Sequence, residues 1–388
     1  MLRNRIIIGT LWIVSLVGIS YYGGTISYGF FIAVTLLPLL SLVYLLFVRF
    51  RFSVYQRLEG KTFTANHPIP FFFTLQNESR FAFAGVKVYF YSDFSSLTGL
   101  DDGAEYELLP GTGVSRDTTL LCRYRGNYNV GIRTIEITDF LRLFRMRYKN
   151  REPLEVNIQP DTVTLADLGG IRLPRLLARE SMQSGGVPEA TVRDYQPGDP
   201  MRRIHWKAFA RENRLLVRRV SGEEQQQVSI FLSTCRTSDK PAAYLPTENK
   251  LLELTLALSS FFLNRGIPVR ATHKTKATML CLMNSRASFD NYYAVCSELE
   301  FSPEQPDASL FKTLSRHPET VGGHIAFFVL SQWSPEAERF ARTLNSNGIA
   351  VVVCLVTADA ADVPTGLTLP RTEVIQVSPD ADLREVLG

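Results

Sequence analysis

The chain has 388 residues, of which 45% are hydrophobic and 21% are charged, and its formal net charge at pH 7 is +4. This length predicts two or three domains, and the composition is that of a globular protein, which excludes a largely disordered chain. The small net charge gives no support for nucleic-acid binding.

Two uncharged apolar runs lie near the N-terminus, at residues 6–22 and 28–48. Each is close to the length of about 20 residues that crosses a hydrocarbon core, and only five residues separate them. The sequence therefore predicts a transmembrane hairpin within residues 1–52. A cleavable signal peptide followed by one span, or two buried core helices, are the alternatives.

Arginines flank both runs, at Arg3 and Arg5 before the first and at Arg49 and Arg51 after the second, while the connecting turn has no Lys or Arg. The positive-inside rule then predicts that both termini and all soluble domains are cytoplasmic. Neither run contains an ionisable residue, so transport is not expected and the hairpin is interpreted as an anchor.

Residues 53–162 contain short runs rich in Phe, Tyr, Val and Thr that are separated by turn residues. Val86, Val88 and Phe90 alternate with polar or amphipathic neighbours, which is typical of a half-buried strand. The spacing predicts a small antiparallel β-sandwich. The expected strands are 69–76, 85–91, 106–109, 118–125, 131–138 and 154–159.

An apolar patch ringed by arginines follows within this domain, at Phe140, Leu141, Leu143 and Phe144. It could contact lipid headgroups, because the domain is expected directly beneath the bilayer. It could also be a half-buried strand edge with solvated arginines, and this second interpretation is favoured.

The segment 163–222 concentrates charged and aromatic residues around RDYQPGDPMRRIHWKAFARENRLLVRRV. Pro197 and Gly198 suit the central positions of a type II turn. Arginine and tryptophan beside paired carboxylates are typical of structural charge networks and of protein interfaces. The candidate interaction residues are Arg193, Asp194, Tyr195, Pro197, Gly198, Asp199, Arg202, Arg203, His205, Trp206 and Lys207.

Three interpretations of this segment remain open. It could be a structural charge network between two domains, or it could be a docking surface for a partner protein. It could also be an active site that uses His205 with Asp199 or Asp194 as acid and base, but no serine or cysteine nucleophile stands beside them. No catalytic residue is assigned.

This segment closely resembles the signature of a bacterial family known as domain of unknown function 58. The turn RGNYNVG at 125–131 and the element DFLRLF at 139–144 also resemble that family. The resemblance implies a location in the inner membrane. It also implies a complex with partner proteins, such as an AAA+ ATPase of the MoxR type, and it implies no established activity.

Residues 223–388 alternate short apolar runs with amphipathic segments. The expected strands are 227–232, 269–272, 277–283, 324–330 and 349–356, and the expected helices are 248–264, 289–299 and 335–347. The alternation predicts a doubly wound parallel sheet with helices on both faces. It resembles a von Willebrand factor A-like domain, as the family resemblance implies.

Such domains often bind a divalent metal through Asp-x-Ser-x-Ser after the first strand, and the matching positions here are Ser233, Cys235 and Thr237. The carboxylate is missing, and Ser331 stands where a second acidic residue would help. Asp239 is a weak substitute. We therefore expect no tightly held metal and no cofactor, and we expect a crevice around Ser233, Thr234 and Ser331.

The cysteines are scattered along the chain, are odd in number and form no CxxC pair, which predicts reduced thiols.

We expect a non-enzymatic scaffold or adaptor that is tethered to the membrane and docks partner proteins. The alternative function is a hydrolase or nuclease that uses His205, Asp199 and Lys207.

Overall fold

The computed structural model describes residues 1–171, 188–194, 214, 216–220, 227–304, 306–316, 321–358, 369 and 371–388, with the backbone alone for 188–194 and 216–220. Its contacts divide the chain into two units, Met1–Gln159 and Pro160–Gly388. The domain boundaries expected at 52, 162 and 222 stay predictions.

The first unit begins with two apolar helices, α1 (Leu2–Tyr22) and α2 (Thr25–Arg51). Gly23 ends α1 in the left-handed conformation with φ 48°, which a residue without a Cβ adopts at little cost. The Trp12 indole donates a hydrogen bond of 3.1 Å to the Thr35 hydroxyl and joins the helices midway. Both helices are long and apolar enough to cross a membrane, which confirms the predicted pair at that level.

Eleven strands follow α2 in residues 52–159, and two four-stranded antiparallel sheets, ordered β1-β3-β7-β5 and β10-β9-β4-β6, contain eight of them. The third sheet, β2-β11-β8, is mixed. The strands are β1 (Phe52–Leu58), β2 (Thr62–Thr64), β3 (Pro68–Asn77), β4 (Phe83–Phe90), β5 (Ser95–Leu97), β6 (Glu105–Leu108), β7 (Gly113–Cys122), β8 (Gly126–Val130), β9 (Ile132–Thr138), β10 (Arg145–Lys149) and β11 (Leu154–Gln159).

The two larger sheets share one hydrophobic core, and the central strand β3 buries every second side chain. In β3, Phe71, Phe73 and Leu75 point into this core, and the Phe73 ring lies 5.6 Å from that of Phe90 in the other sheet. The predicted β domain is confirmed at the level of its antiparallel sheets. Its core also receives Leu45 and Val48 of α2, so that helix and sandwich pack as one body.

Residues 139–144 connect β9 to β10 as a loop. The favoured interpretation of this stretch as a half-buried strand edge is therefore wrong, because Phe140 is exposed and contacts a helix. The Phe140 ring meets the Tyr44 ring of α2 edge to face, with centroids 5.4 Å apart. The arginines that follow do lie on a strand, where Arg145 pairs with Glu136 at 3.3 Å.

The second unit contains an antiparallel strand pair and a six-stranded sheet ordered β16-β15-β14-β17-β18-β19, within the described residues. Its strands are β12 (Pro188–Asp194), β13 (Leu216–Val220), β14 (Val228–Leu232), β15 (Val269–Lys274), β16 (Thr278–Met283), β17 (Ile325–Leu330), β18 (Ala350–Val356) and β19 (Thr372–Val377). Its helices are α3 (Pro241–Asn264), α4 (Arg286–Glu298), α5 (Pro306–Leu314), α6 (Pro335–Ser346) and α7 (Leu383–Leu387).

The predicted α/β alternation is confirmed, but the expectation of a fully parallel sheet is wrong for β16. This strand pairs antiparallel with β15, with Val269 opposite Met283. Three residues between the two strands cannot form the crossover that a parallel neighbour needs, so the chain makes a hairpin.

Helices cover both faces of this sheet. On one face, α3 buries the predicted series Leu251, Leu254, Leu258 and Phe262. On the other, Phe311 of α5 and Phe340 of α6 pack against Phe231 and Phe328 of the sheet. The helix α3 begins at Pro241, seven residues before the predicted start, because proline is compatible with the first turn of a helix.

Residues 163–171 join the core of the α/β domain, where Leu165, Leu168 and Ile171 pack among its buried residues. The backbone N–H of Gly170 donates to the Leu387 carbonyl of α7, at 3.1 Å. Four of the five cysteines are buried, and the expectation that they are reduced stays a prediction.

Candidate functional site

Most of the candidate interaction residues lie outside the described part of the chain. These are Tyr195, Pro197, Gly198, Asp199, Arg202, Arg203, His205, Trp206 and Lys207. Arg193 and Asp194 lie at the end of β12, where their backbones pair with Val217 and Leu216 of β13. The structural, docking and catalytic interpretations of this segment therefore stay predictions.

A second candidate site lies at the carboxyl ends of the central parallel strands. The strand β14 has β15 on one side and β17 on the other, so the chain changes direction at β14 as it adds strands. Open α/β sheets bind ligands at such a switch point. Ser233 follows β14 and Ser331 follows β17, and their hydroxyl oxygens lie 3.4 Å apart.

The Asp307 side chain, from the first turn of α5, closes this crevice. One carboxylate oxygen accepts a hydrogen bond from the Ser233 hydroxyl, and the other accepts one of 3.2 Å from the Thr234 backbone N–H. The Ser331 hydroxyl donates to the Cys235 carbonyl at 3.5 Å. The polar groups at the strand ends are thus bonded to one another.

Burial raises the pKa of the Asp307 carboxyl above its ordinary value. The hydrogen bonds from Ser233 and Thr234 lower this pKa and offset part of the effect, because they stabilise the charged form. The crevice therefore contains a carboxylate that takes up a proton more readily than one in water does.

These residues do not fit a divalent metal. Magnesium prefers six oxygen ligands in a nearly octahedral arrangement. From the described residues, the crevice receives one carboxylate, and both of its oxygens already accept hydrogen bonds from the protein. Across the described ranges, no group of three His, Cys, Asp or Glu side chains is placed to hold a metal ion.

The same geometry does not resemble a nucleophile activated by a base. Within the described residues, the Ser233 hydroxyl contacts the Asp307 carboxylate, the Ser331 hydroxyl and the Cys235 backbone N–H. An activated serine requires a basic partner that is itself oriented by a third group, and no such partner is among these contacts.

The three positions that match a metal motif are not equivalent in the structure. Ser233 and Cys235 are buried, whereas Thr237 is exposed. The weak substitute Asp239 is also exposed. The carboxylate that reaches Ser233 comes from Asp307, 74 residues later, which the sequence analysis missed. Its sequence signal is an acidic residue directly after Pro306, at the start of a short amphipathic helix.

An open groove of about 870 Å³ lies beside the crevice, between the β15–β16 hairpin, α4 and residues 299–304. Residues 299–304 are held against the strand end, because the Ser302 N–H donates to the Thr234 carbonyl at 2.9 Å. Lys274 and Lys276 line one part of the groove, and carboxylates line another. These carboxylates belong to Glu298, Glu300 and Glu304.

The strand β16 borders this groove and is the edge strand of the sheet. Its side chains Leu280 and Leu282 are 53% and 51% exposed, and Met279 of the same strand lines the groove. None of the six residues of β16 carries a charge. Apolar, uncharged edges are uncommon in proteins, because they pair readily with another strand.

No curated protein matches the chain. Among solved structures, proximal thread matrix protein 1 from the mussel byssus is 10% identical, with 39% of this chain and 43% of that protein covered and a TM-score of 0.27. The chain thus spans less than half of that protein. The enzyme AvmM, which catalyzes macrocyclization in alchivemycin A biosynthesis, is 12% identical, with 29% of this chain and 92% of that chain covered and a TM-score of 0.19.

A GH20 exo-β-N-acetylglucosaminidase from Vibrio harveyi is 9% identical, with 79% of this chain and 57% of that enzyme covered and a TM-score of 0.18. At such TM-scores, these similarities carry no information about fold or function.

A family model described as protein of unknown function DUF58 matches residues 191–364. The match starts within β12, contains the charged segment and the crevice around Ser233, and extends beyond β18. This is the family that the charged segment and the turn at 125–131 resemble. Residues 191–364 of the chain thus match the family of proteins of unknown function DUF58.

Proposed function

We propose that this protein is a non-enzymatic scaffold that is tethered to the cytoplasmic membrane and docks partner proteins through its α/β domain. The observation that carries the proposal is the free edge of β16, where apolar side chains are exposed next to a charged groove. The membrane attachment is part of the same proposal.

The edge of β16 suits an extended segment of a partner protein. Among the described residues, β16 pairs with β15 alone, which leaves the backbone groups on its other side for an added strand. Main-chain hydrogen bonds then provide affinity, and pockets for alternate side chains provide specificity. Leu280 and Leu282 lie on the same face of the strand and supply an apolar contact.

The groove adds a charge preference to this edge. Lys274 and Lys276 lie at the β15–β16 turn, and Glu298, Glu300 and Glu304 line the groove at the end of α4 and after it. A partner segment with an acidic residue near the lysines and a basic residue near the glutamates would complement both. Such pairing contributes mainly to specificity and to the association rate.

The two apolar helices support the proposed attachment. Arg3 and Arg5 begin α1, Arg49 and Arg51 end α2, and the turn between the helices has no Lys or Arg. This distribution favours a topology with both ends in the cytoplasm. Because Phe52 starts β1 directly after Arg51, no flexible linker separates the span from the sandwich.

We also propose that the α/β domain is a von Willebrand factor A-like domain that binds proteins without a metal. The switch point at β14 and the helices on both faces support this assignment. At the place where such domains hold a cation, Ser233 and Ser331 bond with Asp307 and with the backbone instead.

The family resemblance suggests an AAA+ ATPase of the MoxR type as the first partner to test. Affinity capture of the full chain from native membranes, read by mass spectrometry, should recover it with the wild type. The variant Leu280→Asp/Leu282→Asp should lose it, because it replaces the exposed apolar contact at the edge of β16 with two charges. Gln332→Asp adds one charge at an exposed loop of the same domain and should retain the partner.

Arg203→Ala and Trp206→Ala test the charged segment in the same experiment. If these folded variants lost the partner and the β16 variant retained it, the docking surface would be the charged segment and not the edge of β16. If no specific partner were captured with the wild type, the scaffold proposal would be rejected.

A further inference from the structure

Three loops of the sandwich lie at the same end of the domain, next to the last turns of α2. They connect β3 to β4, β6 to β7 and β9 to β10, and their residues are 78–82, 109–112 and 139–144. The strand registers fix this arrangement, because Phe52 at the end of α2 pairs with Asn77, and Phe83 pairs with Leu108. We call these segments the three tip loops.

Each tip loop exposes a large apolar side chain. Phe81, Leu109 and Phe140 are 62%, 65% and 53% exposed. In residues 52–159, all of which the structure describes, Tyr55 is the one other large hydrophobic side chain with this degree of exposure. Exposed apolar groups are thus concentrated at the end of the sandwich where α2 joins it.

Buried polar groups hold the first two loops in place. Asn77 is fully buried, and its amide donates to the Phe81 carbonyl at 2.8 Å and to the Leu109 carbonyl at 3.1 Å. The Ser79 hydroxyl donates to the Asn77 side-chain oxygen at 2.7 Å. Phe81 and Leu109 therefore project from well-bonded loops, and their exposure is a fixed feature of the fold.

The Asp139 carboxylate organises the third loop. It accepts hydrogen bonds from the backbone N–H groups of Leu141 and Phe144, at 3.2 and 2.7 Å, and one from the Ser41 hydroxyl of α2. From α1, the Arg5 guanidinium donates to the Leu143 carbonyl at 2.6 Å. This loop is thus bonded to both apolar helices.

Aromatic contacts fix the level of the loops along α2. The Phe81 ring meets the Phe47 ring edge to face at 5.6 Å, and the Phe140 ring meets the Tyr44 ring at 5.4 Å. The Tyr44 hydroxyl also donates to the Ala82 carbonyl at 2.8 Å. The first and third tip loops therefore lie beside Tyr44 and Phe47, and Asn77 connects the second loop to the first.

Helix lengths place this level in a membrane. With 21 and 27 residues, α1 and α2 are about 31 and 40 Å long at the usual rise per residue. A hydrocarbon core is about 30 Å thick, and a bilayer with its headgroup regions about 40 to 45 Å. The hydrogen bond between Trp12 and Thr35 aligns the two helices, so the part of α2 that extends beyond α1 is the C-terminal end of α2. This part starts near Tyr44, and its position along the helix corresponds to the headgroup layer.

Basic side chains stand next to the exposed rings. Arg80 precedes Phe81, and Arg142 follows Phe140 by two residues. The Arg142 side chain is 63% exposed and pairs with Glu105 at 3.3 Å. An apolar side chain beside an exposed guanidinium is typical of proteins that contact the membrane interface. The apolar ring inserts next to the acyl chains, and the guanidinium binds a lipid phosphate.

We propose that the three tip loops form a lipid-binding surface, with Phe81, Leu109 and Phe140 inserted into the headgroup layer of the leaflet that borders the sandwich. This proposal rests on the proposed membrane attachment. It adds that the sandwich lies partly within the bilayer surface, fixed at one height and orientation by its own loops as well as by the helices.

Photocrosslinking to lipid tests this surface. The full chain is reconstituted in vesicles of phosphatidylethanolamine and phosphatidylglycerol, with photoreactive benzoylphenylalanine at position 81, 109 or 140, and phospholipid adducts are identified by mass spectrometry. Position 55 is the matched control, because Tyr55 is equally exposed on the same domain but belongs to β1. Adduct yields at the three loop positions should be several-fold higher than at position 55.

Position 13 separates this proposal from the membrane attachment on which it rests. Ile13 is exposed on α1 and should form lipid adducts whenever the hairpin spans the bilayer. Adducts at 13 but none above the level of position 55 at the three loops would overturn the loop proposal alone. No adduct at 13 would overturn the attachment, and adducts with a protein at the loops in cells would assign this surface to a protein partner.

Discussion

The Ser41 hydroxyl of α2 donates a hydrogen bond to the Asp139 carboxylate, 98 residues later in the chain. Both residues are buried, although one belongs to an apolar helix and the other to a loop of the sandwich. A polar pair of this kind fixes the helix and the loop relative to each other, because a buried carboxylate without its donors is unfavourable.

The variant Ser41→Ala should lower the free energy of unfolding by about 1 to 3 kcal/mol, because it leaves the Asp139 carboxylate with one donor fewer in a buried place. Thermal unfolding of the full chain in detergent and hydrogen exchange of residues 139–144 measure this effect. Thr10→Ala is the control, because the Thr10 hydroxyl is exposed and bonds within its own helix. Equal effects of the two variants would contradict the prediction.

The last position of the turn RGNYNVG requires glycine, because of both its backbone conformation and the small space around it. Gly131 has φ +80°, and a Cβ there would lie 2.5 Å from the Gln56 side-chain oxygen. That oxygen accepts the Ile132 N–H at 2.8 Å, so it cannot move without the loss of a hydrogen bond. Gly99 has φ +71° with no atom within 4 Å of the same position.

Gly99→Ala should therefore cost about 1 to 2 kcal/mol for the left-handed conformation alone. Gly131→Ala should cost about 1 to 3 kcal/mol more, because it also introduces a steric clash. Chemical denaturation of the two variants and the wild type measures the difference. If both variants lost the same stability, the contact with Gln56 would have no role in the requirement for glycine.

Local sequence patterns predicted the elements of this chain well where burial alone determines them. The uncharged runs became α1 and α2, and the buried strands β14, β17 and β18 were found within two residues of their bounds. The pattern of Leu251, Leu254 and Leu258 likewise predicted the buried face of α3. Such elements follow from the sequence because their hydrophobic periodicity is local.

The candidate sites were harder to predict because they join distant segments. Asp307 meets Ser233 across 74 residues, and periodicity contains no information about such a contact. The three tip loops converge through strand registers, so the shared position of Phe81 and Phe140 appears only in the fold. The edge position of β16 likewise depends on strand order, which a single strand does not reveal.

A buried ion pair in α3 gives the third prediction. The Lys250 ammonium lies 2.8 Å from the Glu253 carboxylate and donates to the Ala381 carbonyl at 2.8 Å. Burial raises the pKa of Glu253, and Lys250 opposes this effect. Lys250→Met should destabilise the protein by about 3 to 5 kcal/mol, because it leaves an uncompensated carboxylate in a buried place.

The double variant Lys250→Met/Glu253→Leu should recover most of this loss, because it removes the second charge as well. Denaturation of the wild type, both single variants and the double variant completes the cycle. A double variant as unstable as the sum of the two singles would show that the pair is not coupled.

The fourth prediction concerns the protonation of Asp307. Its pKa in the folded state is raised, so the folded protein holds this proton more tightly than the unfolded chain does. The contribution to stability is fully present below the unfolded value of 3.8 and is lost as the pH rises through the folded pKa. Ser233→Ala should raise the folded pKa further, because it removes a hydrogen bond to the charged form.

The side-chain carboxyl carbon of Asp307, followed by NMR as a function of pH, reports this shift. Thr237→Ala is the control, because it changes an exposed hydroxyl after the same strand and should leave the titration unchanged. A lower pKa of Asp307 in Ser233→Ala would contradict the arrangement of donors around the carboxylate.

The buried His273 gives a prediction of opposite sign. It is fully buried in β15, neither ring nitrogen has a hydrogen-bond partner among the described residues, and its ring lies 6.3 Å from that of Tyr292. Burial lowers its pKa below the ordinary value of 6.5. The unfolded chain therefore binds this proton first, so the free energy of unfolding should fall as the pH drops below about 6.5, by up to about 1.4 kcal/mol per pH unit.

The variant His273→Leu should remove this part of the acid sensitivity. At neutral pH it should be as stable as the wild type or more stable, because an apolar side chain of similar size replaces a ring with unsatisfied nitrogens. Hydrogen exchange of β15 in the full chain, measured from neutral to mildly acidic pH, separates this domain from the sandwich. An unchanged pH dependence in His273→Leu would show that protonation of this ring does not oppose folding, and a large loss of stability at neutral pH would show that its nitrogens are bonded.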